Sequence, residues 1–213
     1  MLSVGGRKPA AVVVDPLAKS LLQLGIRPNQ VTIASAVLSV LACCTLIPTG
    51  HLFAAAITIA VFTAFDLIDG TMARMSRGGT SFGATLDASC DRITDGALFA
   101  AILWWLVYSA GAPRWHVAAA LIVLVSSQVI SYVKARAEAG GLPIVGGIVE
   151  RAERLLVSLI GLGLTGLGVS WALPVALWLL AVGSVATVIQ RLLMAKRSKF
   201  AQNPLAPPPG AHP

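Results

Sequence analysis

A chain of 213 residues with 56% hydrophobic and 12% charged side chains and a mean hydropathy of +0.82 falls far below the roughly 25% charged residues usual in soluble domains. This excludes a soluble globular protein, and the length allows one domain or at most two. The formal net charge of +7 suits the anionic face of a membrane, and the clustering of the basic residues at helix ends argues against nucleic acid as a partner.

The first element in chain order is "VVVDPLAKSLLQLG", residues 12–25. It reads as a short amphipathic helix on the membrane surface: Asp15 caps it, Pro16 takes the first turn, Gly25 ends it, and Leu17, Leu21 and Leu24 share its apolar face. Residues 1–28 form a cytoplasmic N-terminal region without the apolar core of a cleavable leader. "RPNQVT" then opens the first long helix with Asn29 as its cap, and the polar Asn29, Gln30 and Thr32 at that helix start could meet an anionic ligand.

Six stretches follow that are apolar enough to span a bilayer of about 30 Å, which takes about 20 residues. They lie near 30–47, 52–75, 84–108, 115–137, 150–169 and 172–193, and the Gly- and Pro-rich connections "PTGH", "SAGAPR", "AGGLPIVGG" and "GLGVSW" mark the membrane ends. The expected fold is an all-α integral membrane protein: six transmembrane helices in a domain over 29–195, an N-terminal interfacial helix, and a loose Pro-rich tail over 196–213. Fourteen of the sixteen Lys and Arg residues fall on one side, leaving Arg114 opposite and Arg92 within a span. By the positive-inside rule both termini are cytoplasmic in a multi-pass protein of the cell membrane. The small residues of "LIGLGLTGLG" suit close helix packing or dimerisation. Cys43, Cys44 and Cys90 have neither disulfide nor metal-site spacing and read as packing residues.

The second and third spans carry "FDLIDGTMARMSRGGTSFGATLDASCDR", with Asp66, Asp69, Asp87 and Asp91 among only nine acidic residues in the chain. Asp66 and Asp69 share a face by their spacing of three, Asp87 and Asp91 by their spacing of four. Asp66 stands fourteen residues beyond Leu52, about 21 Å along a helix and so in the inner third of the bilayer. A charge near the bilayer centre costs roughly 3 kcal/mol, so four carboxylates there require counter-charge. Arg74, Arg77 and Arg92 are one source. Two hard divalent cations, Mg2+ or Mn2+, are the better fit to carboxylate ligands converging from two helices. Asp95, one turn further on, pairs within the bundle. Gly70 and Gly83 clear side chains from the backbone beside the carboxylates.

In order and spacing, Asp66, Asp69, Gly70, Ala73, Arg74, Gly83, Asp87 and Asp91 reproduce DxxDGxxARx(8)GxxxDxxxD. This resembles the signature of the CDP-alcohol phosphotransferases, and the six spans, the surface helix and "PNQVT" extend the likeness over about residues 12–195. The resemblance implies a transferase that moves a phosphatidyl or related group from a CDP-linked lipid to an alcohol and releases CMP. It implies that Asp66, Asp69, Asp87 and Asp91 hold two metal ions, with Asp91 also the base. It further implies that Asn29, Gln30, Thr32, Gly70, Arg74 and Thr80 hold the CDP part, and that the protein is a homodimer.

The signature does not name the acceptor. Lys134, Arg136, Arg154 and Arg191 gather at the cytoplasmic mouth and suit the phosphate of a phosphorylated acceptor, while Arg151 is expected in the headgroup layer. "PNQVTIASAVLSVLA" and "GGIVERAERL" are similar to the actinobacterial branch of the family that joins CDP-diacylglycerol to inositol 1-phosphate. A glycerol 3-phosphate acceptor, giving phosphatidylglycerophosphate, stays open. So does a divalent-cation transporter, which also gathers carboxylates in its spans.

Overall fold

The computed structural model describes residues 7–76 and 78–202, and among them it is all helical. In chain order the helices are α1 (Arg7–Gln23), α2 (Pro28–Leu46), α3 (Leu52–Met75), α4 (Ser81–Tyr108), α5 (Arg114–Ala139), α6 (Arg151–Gly166) and α7 (Ala172–Arg197). Four of them, α2, α3, α5 and α7, are long and apolar enough to cross a membrane. The other two long stretches differ for plain reasons: α4 carries Asp87, Asp91, Arg92 and Asp95 within its first fifteen residues, and α6 has only 16 residues. Most of the expected tail, and Arg77, lie outside the described residues.

Two expected helix starts are corrected. Helix α1 begins at Arg7 and runs through Pro16, so Asp15 is not its cap: the helix continues across a residue that normally breaks one. The cap of α2 is Arg27, with Pro28 in the first turn. Gln30 Oε1 accepts the Arg27 main-chain N–H at 2.9 Å, the capping-box arrangement, and Asn29 lies inside the helix. The apolar face foreseen for α1 also divides. Leu17 and Leu24 are exposed, whereas Val14, Ala18, Leu21 and Leu22 pack with Val31, Ile68 and Met72 and dock α1 on α2 and α3.

The bundle packs α2 on α3 and α4, α3 on α6, α4 on α5, and α7 on α5 and α6. One large apolar cluster fills its lower half, from Ala42, Cys43 and Ile47 of α2 through Leu52 to Ile59 of α3, Leu98 to Leu106 of α4, and Leu173 to Ala181 of α7. Glycines set the spacing of α6. A Cβ on Gly166 would stand 2.3 Å from the Phe53 main-chain nitrogen, and one on Gly161 2.7 Å from the Ala176 Cβ, so "LIGLGLTGLG" is a close-packing surface within the chain. Around this core, rows of apolar side chains such as Ile33, Val37 and Leu41 of α2 and Val175, Leu179 and Val182 of α7 face outward, far more than a soluble surface carries.

The connection between α5 and α6 does not stay at the bundle end. Ile144 is buried, and Val149 packs against the bare backbone of Gly183, midway along α7. Backbone groups away from water need partners, and α7 supplies them. Thr187 Oγ1 accepts the Val149 N–H at 2.9 Å, Gln190 Oε1 accepts the Ile148 N–H at 3.1 Å, and Arg191 Nε donates to the Gly146 carbonyl at 3.2 Å. Gly146 turns there with φ of +81°, which a side chain would resist. The first residues of α6 are thereby carried inward to the acidic turns of α3 and α4.

Candidate active site

Helices α3 and α4 bring Asp66, Asp87 and Asp91 to one small polar cavity of about 10 Å3, which Thr32 and Ser39 of α2, Thr63, Cys90, Thr94 and Arg151 also line. Helical spacing explains the company: Thr63 lies one turn before Asp66, and Thr94 one turn after Asp91. Asp69 is buried and accepts a short hydrogen bond from Thr32 Oγ1. Asp66 and Asp91 keep partly exposed carboxylates, and Asp87 is exposed.

The residues expected to meet the CDP part form two groups. Thr80 caps α4 by accepting the Gly83 N–H at 2.9 Å. A Cβ on Gly83 would come within 3.1 Å of Thr80 Oγ1 and 3.2 Å of Asn29 Oδ1, so Asn29, Thr80 and Gly83 meet, and a side chain there would push the two others back by a few tenths of an ångström. Arg74 lies across Gly70 and donates from Nη2 to Thr71 Oγ1 at 2.8 Å. Thr32 joins this side through Asp69. Gln30 turns away to cap α2 and to border an apolar groove with Leu21, Ile26, Leu38, Phe62 and Phe65.

The basic residues expected for the acceptor separate. Arg154 is 1% exposed and donates from Nη2 to Asp95 Oδ2 at 2.9 Å, while its Nε and Nη1 have no partner among the described residues. Arg191 is buried, its Nη1 donating to the Ile130 carbonyl at 2.8 Å, with Glu150 3.7 Å from Nη2. Lys134 pairs loosely with Glu138 at 3.8 Å, both exposed. Arg136 is exposed and borders a separate cavity with Tyr132, Leu192 and Phe200.

The counter-charge comes from a residue that the sequence places elsewhere. Arg151 is not in the headgroup layer: its Nη1 stands 3.0 Å from Asp66 Oδ2 and 2.9 Å from Asp91 Oδ1, and its Nε 3.3 Å from Asp95 Oδ1. Arg92 adds a contact of 3.3 Å to Asp91 Oδ2. Asp95 pairs within the bundle as expected, with Arg154 and Arg151. Among the described residues no three acidic, His or Cys side chains close on a common point; a guanidinium stands between Asp66 and Asp91. The donor chemistry nonetheless fits hard divalent cations, since all donors are oxygens on facing helices around a polar cavity. The signal for Thr32, Ser35 and Ser39 was present in the sequence as a polar stripe at helical spacing on α2. No local pattern announced Arg151, whose partners are 56 and 85 residues away.

Seven helices among the described residues, an acidic pair on each of two neighbours, and Gly70 beside one of those pairs define the class. Residues 25–190 match the model of the CDP-alcohol phosphatidyltransferases, and the chain belongs to that family of membrane-embedded enzymes. It is 62% identical to the phosphatidylinositol phosphate synthase of Corynebacterium glutamicum over 211 residues, covering 99% of this chain and 96% of the relative. The crystal structure of Mycobacterium tuberculosis phosphatidylinositol phosphate synthase with CDP-DAG bound superimposes with a TM-score of 0.88 at 48% identity, covering 92% of this chain and 100% of that one. The same M. tuberculosis enzyme in complex with manganese and citrate matches with a TM-score of 0.86 at 48% identity, over 91% of this chain and 93% of that one.

Proposed function

We propose that this enzyme transfers the phosphatidyl group of CDP-diacylglycerol to inositol 1-phosphate, giving phosphatidylinositol phosphate and CMP. The observation that carries the reading is the convergence of Asp66, Asp87 and Asp91 on one polar cavity, with Asp69 tied to Thr32 beside it. The full signature and the 62% identity to a phosphatidylinositol phosphate synthase support the choice of acceptor. All six helices from α2 to α7 cross the membrane in this reading, and α1 lies at the cytoplasmic interface with Leu17 and Leu24 toward lipid. Both termini and the cavity face the cytoplasm.

Asp66, Asp69, Asp87 and Asp91 hold two divalent cations, Mg2+ or Mn2+, which when bound neutralise charge on the pyrophosphate. Asn29, Thr32, Gly70, Arg74 and Thr80 hold the nucleotide end in this reading, joined by Gln30 once it turns from the Arg27 N–H that it accepts here: the bare backbone at Gly70 leaves the nucleotide room, and the Arg74 fork offers paired donors to phosphate. Asp91 takes the proton of the acceptor hydroxyl. The acceptor oxygen forms its bond to the β-phosphorus, the phosphoanhydride bond breaks, and the electron pair leaves with CMP. In this reading the acceptor's own phosphate draws together Lys134, Arg136, Arg154 and Arg191, which stand apart in this structure, with Arg154 supplying two unpartnered donors. The protein works as a homodimer, as the family resemblance implies.

Purified enzyme given CDP-diacylglycerol with inositol 1-phosphate, glycerol 3-phosphate or free inositol tests the reading by CMP release. Release with inositol 1-phosphate alone is expected. Release with glycerol 3-phosphate instead would reassign the acceptor, and Mn2+ flux into liposomes without any CMP would replace the enzyme by a transporter.

A further inference from the structure

Arg151 has no part in the reaction as described, yet among the described residues it pairs with three carboxylates, Asp66, Asp91 and Asp95. Its guanidinium has two kinds of attachment. Nη1 is shared between Asp66 Oδ2 and Asp91 Oδ1, at 3.0 and 2.9 Å, carboxylates of two different helices. Nε is held at 3.3 Å by Asp95 Oδ1, and Asp95 is 1% exposed and fixed on its other oxygen by Arg154. The first attachment is to residues assigned to metal ions, the second to a residue outside the signature that is already buried and paired.

A guanidinium and a divalent cation compete for the same carboxylate oxygens, Asp66 Oδ2 and Asp91 Oδ1, because two cations within about 3 Å of one oxygen repel each other strongly in a partly buried site. Equally, Asp66 and Asp91 cannot be left together without sufficient counter-charge at membrane depth, and Arg92, 3.3 Å from Asp91 Oδ2, pairs with Asp91 and not with Asp66. The two cations are therefore alternatives at one place. We propose that Arg151 is the resident counter-cation of the carboxylate cluster, and that divalent ions displace its Nη1 from Asp66 and Asp91 while Asp95 keeps hold of Nε. Ion loading and release of the Nη1 donor for a substrate phosphate are then one event. This rests on the reading that Asp66 and Asp91 bind ions.

The test is Mn2+ binding to the full-length protein without lipid substrate, read from the loss of the free Mn2+ paramagnetic resonance signal. Arg151→Gln removes the competitor and should tighten Mn2+ binding about tenfold, the weight of one charge-assisted hydrogen bond. Arg151→Lys keeps a charge on the same stem and should stay closer to the parent than the Gln variant does. In chelator Arg151→Gln should unfold at a lower temperature than the parent, and saturating Mn2+ should close that gap, because any ligand that binds the folded state alone stabilises it. Equal or weaker Mn2+ binding by Arg151→Gln overturns the proposal, since Arg151 would then support the ions. A Gln variant that folds only with Mn2+ present supports it, and one that stays unfolded with Mn2+ overturns it. Asp91→Asn separates the two levels: if the parent and Asp91→Asn bind Mn2+ alike, the metal reading itself fails, whatever Arg151 does.

Discussion

Along α3 and α4 the side chains change character within a few turns. At one end Leu52, Ala55, Ala56 and Ile59 meet Leu98, Ala101, Ile102 and Leu106 in the apolar cluster. At the other, Thr63 and Asp66 meet Asp87, Asp91 and Thr94 around the polar cavity. The apolar end is held by volume and closeness of approach, which many combinations of small and branched residues satisfy. The polar end is held by charge and hydrogen-bond balance: Asp66, Asp91 and Asp95 meet arginines, Asp69 meets the Thr32 hydroxyl, and each buried arginine needs a named oxygen. Stability at one end should thus vary smoothly with side-chain size, and function at the other should vanish with single atoms.

The sharpest break in that contrast is Asn at Asp66, Asp69, Asp87 or Asp91. Each substitution removes one charge with almost no change in volume, and CMP release should fall below detection in every case, as it should for the parent in chelator. Activity retained in any two of the four would make the polar end as tolerant as the apolar one.

Next in size is the buried pair of Asp95 and Arg154, both 1% exposed. Asp95→Asn leaves Arg154 charged without its partner and should cost about 3–5 kcal/mol of stability, whereas Asp95→Leu combined with Arg154→Met should recover much of that. Thermal unfolding in detergent measures both. A double variant no better than the single would mean that the pair is not the unit of stability.

Lys134→Gln is the cleanest acceptor variant, because Lys134 is exposed and its contact with Glu138 is long. If it binds the acceptor's phosphate, the acceptor KM should rise about tenfold, the lower end of what a charge-assisted hydrogen bond contributes, with the KM for CDP-diacylglycerol unchanged. No change in either KM would leave Lys134 as an ordinary membrane-flanking charge.

At the apolar end, Gly166→Ala drives a methyl group into the Phe53 backbone and should cost about 1–3 kcal/mol by overpacking. The melting temperature should drop while both KM values hold. A changed KM with an unchanged melting temperature would couple the two ends more tightly than their packing suggests.

Much of this was legible beforehand. Six apolar stretches separated by Gly- and Pro-rich turns correspond to α2–α7, because helix length and apolar content are local properties. The pairing of Asp66 with Asp69 and of Asp87 with Asp91 is likewise a matter of spacing along one helix. Both helix starts were misread from capping residues: Asp15 lies inside α1, which is already helical at Arg7, and Asn29 lies inside α2, which Arg27 caps.

What the sequence by itself determined is therefore the apolar helical stretches, the shared faces and the need for cations among the carboxylates. Which cation answers that need was decided by tertiary structure. Arg151 reaches Asp66 only because Thr187, Gln190 and Arg191 of α7 accept or donate the hydrogen bonds that let residues 140–150 run inward and start α6 at the cavity. Those partners lie 38 to 45 residues away in sequence. Their alignment depends on the depth and rotation of α7 against α5 and α6, which close packing sets and no local pattern encodes.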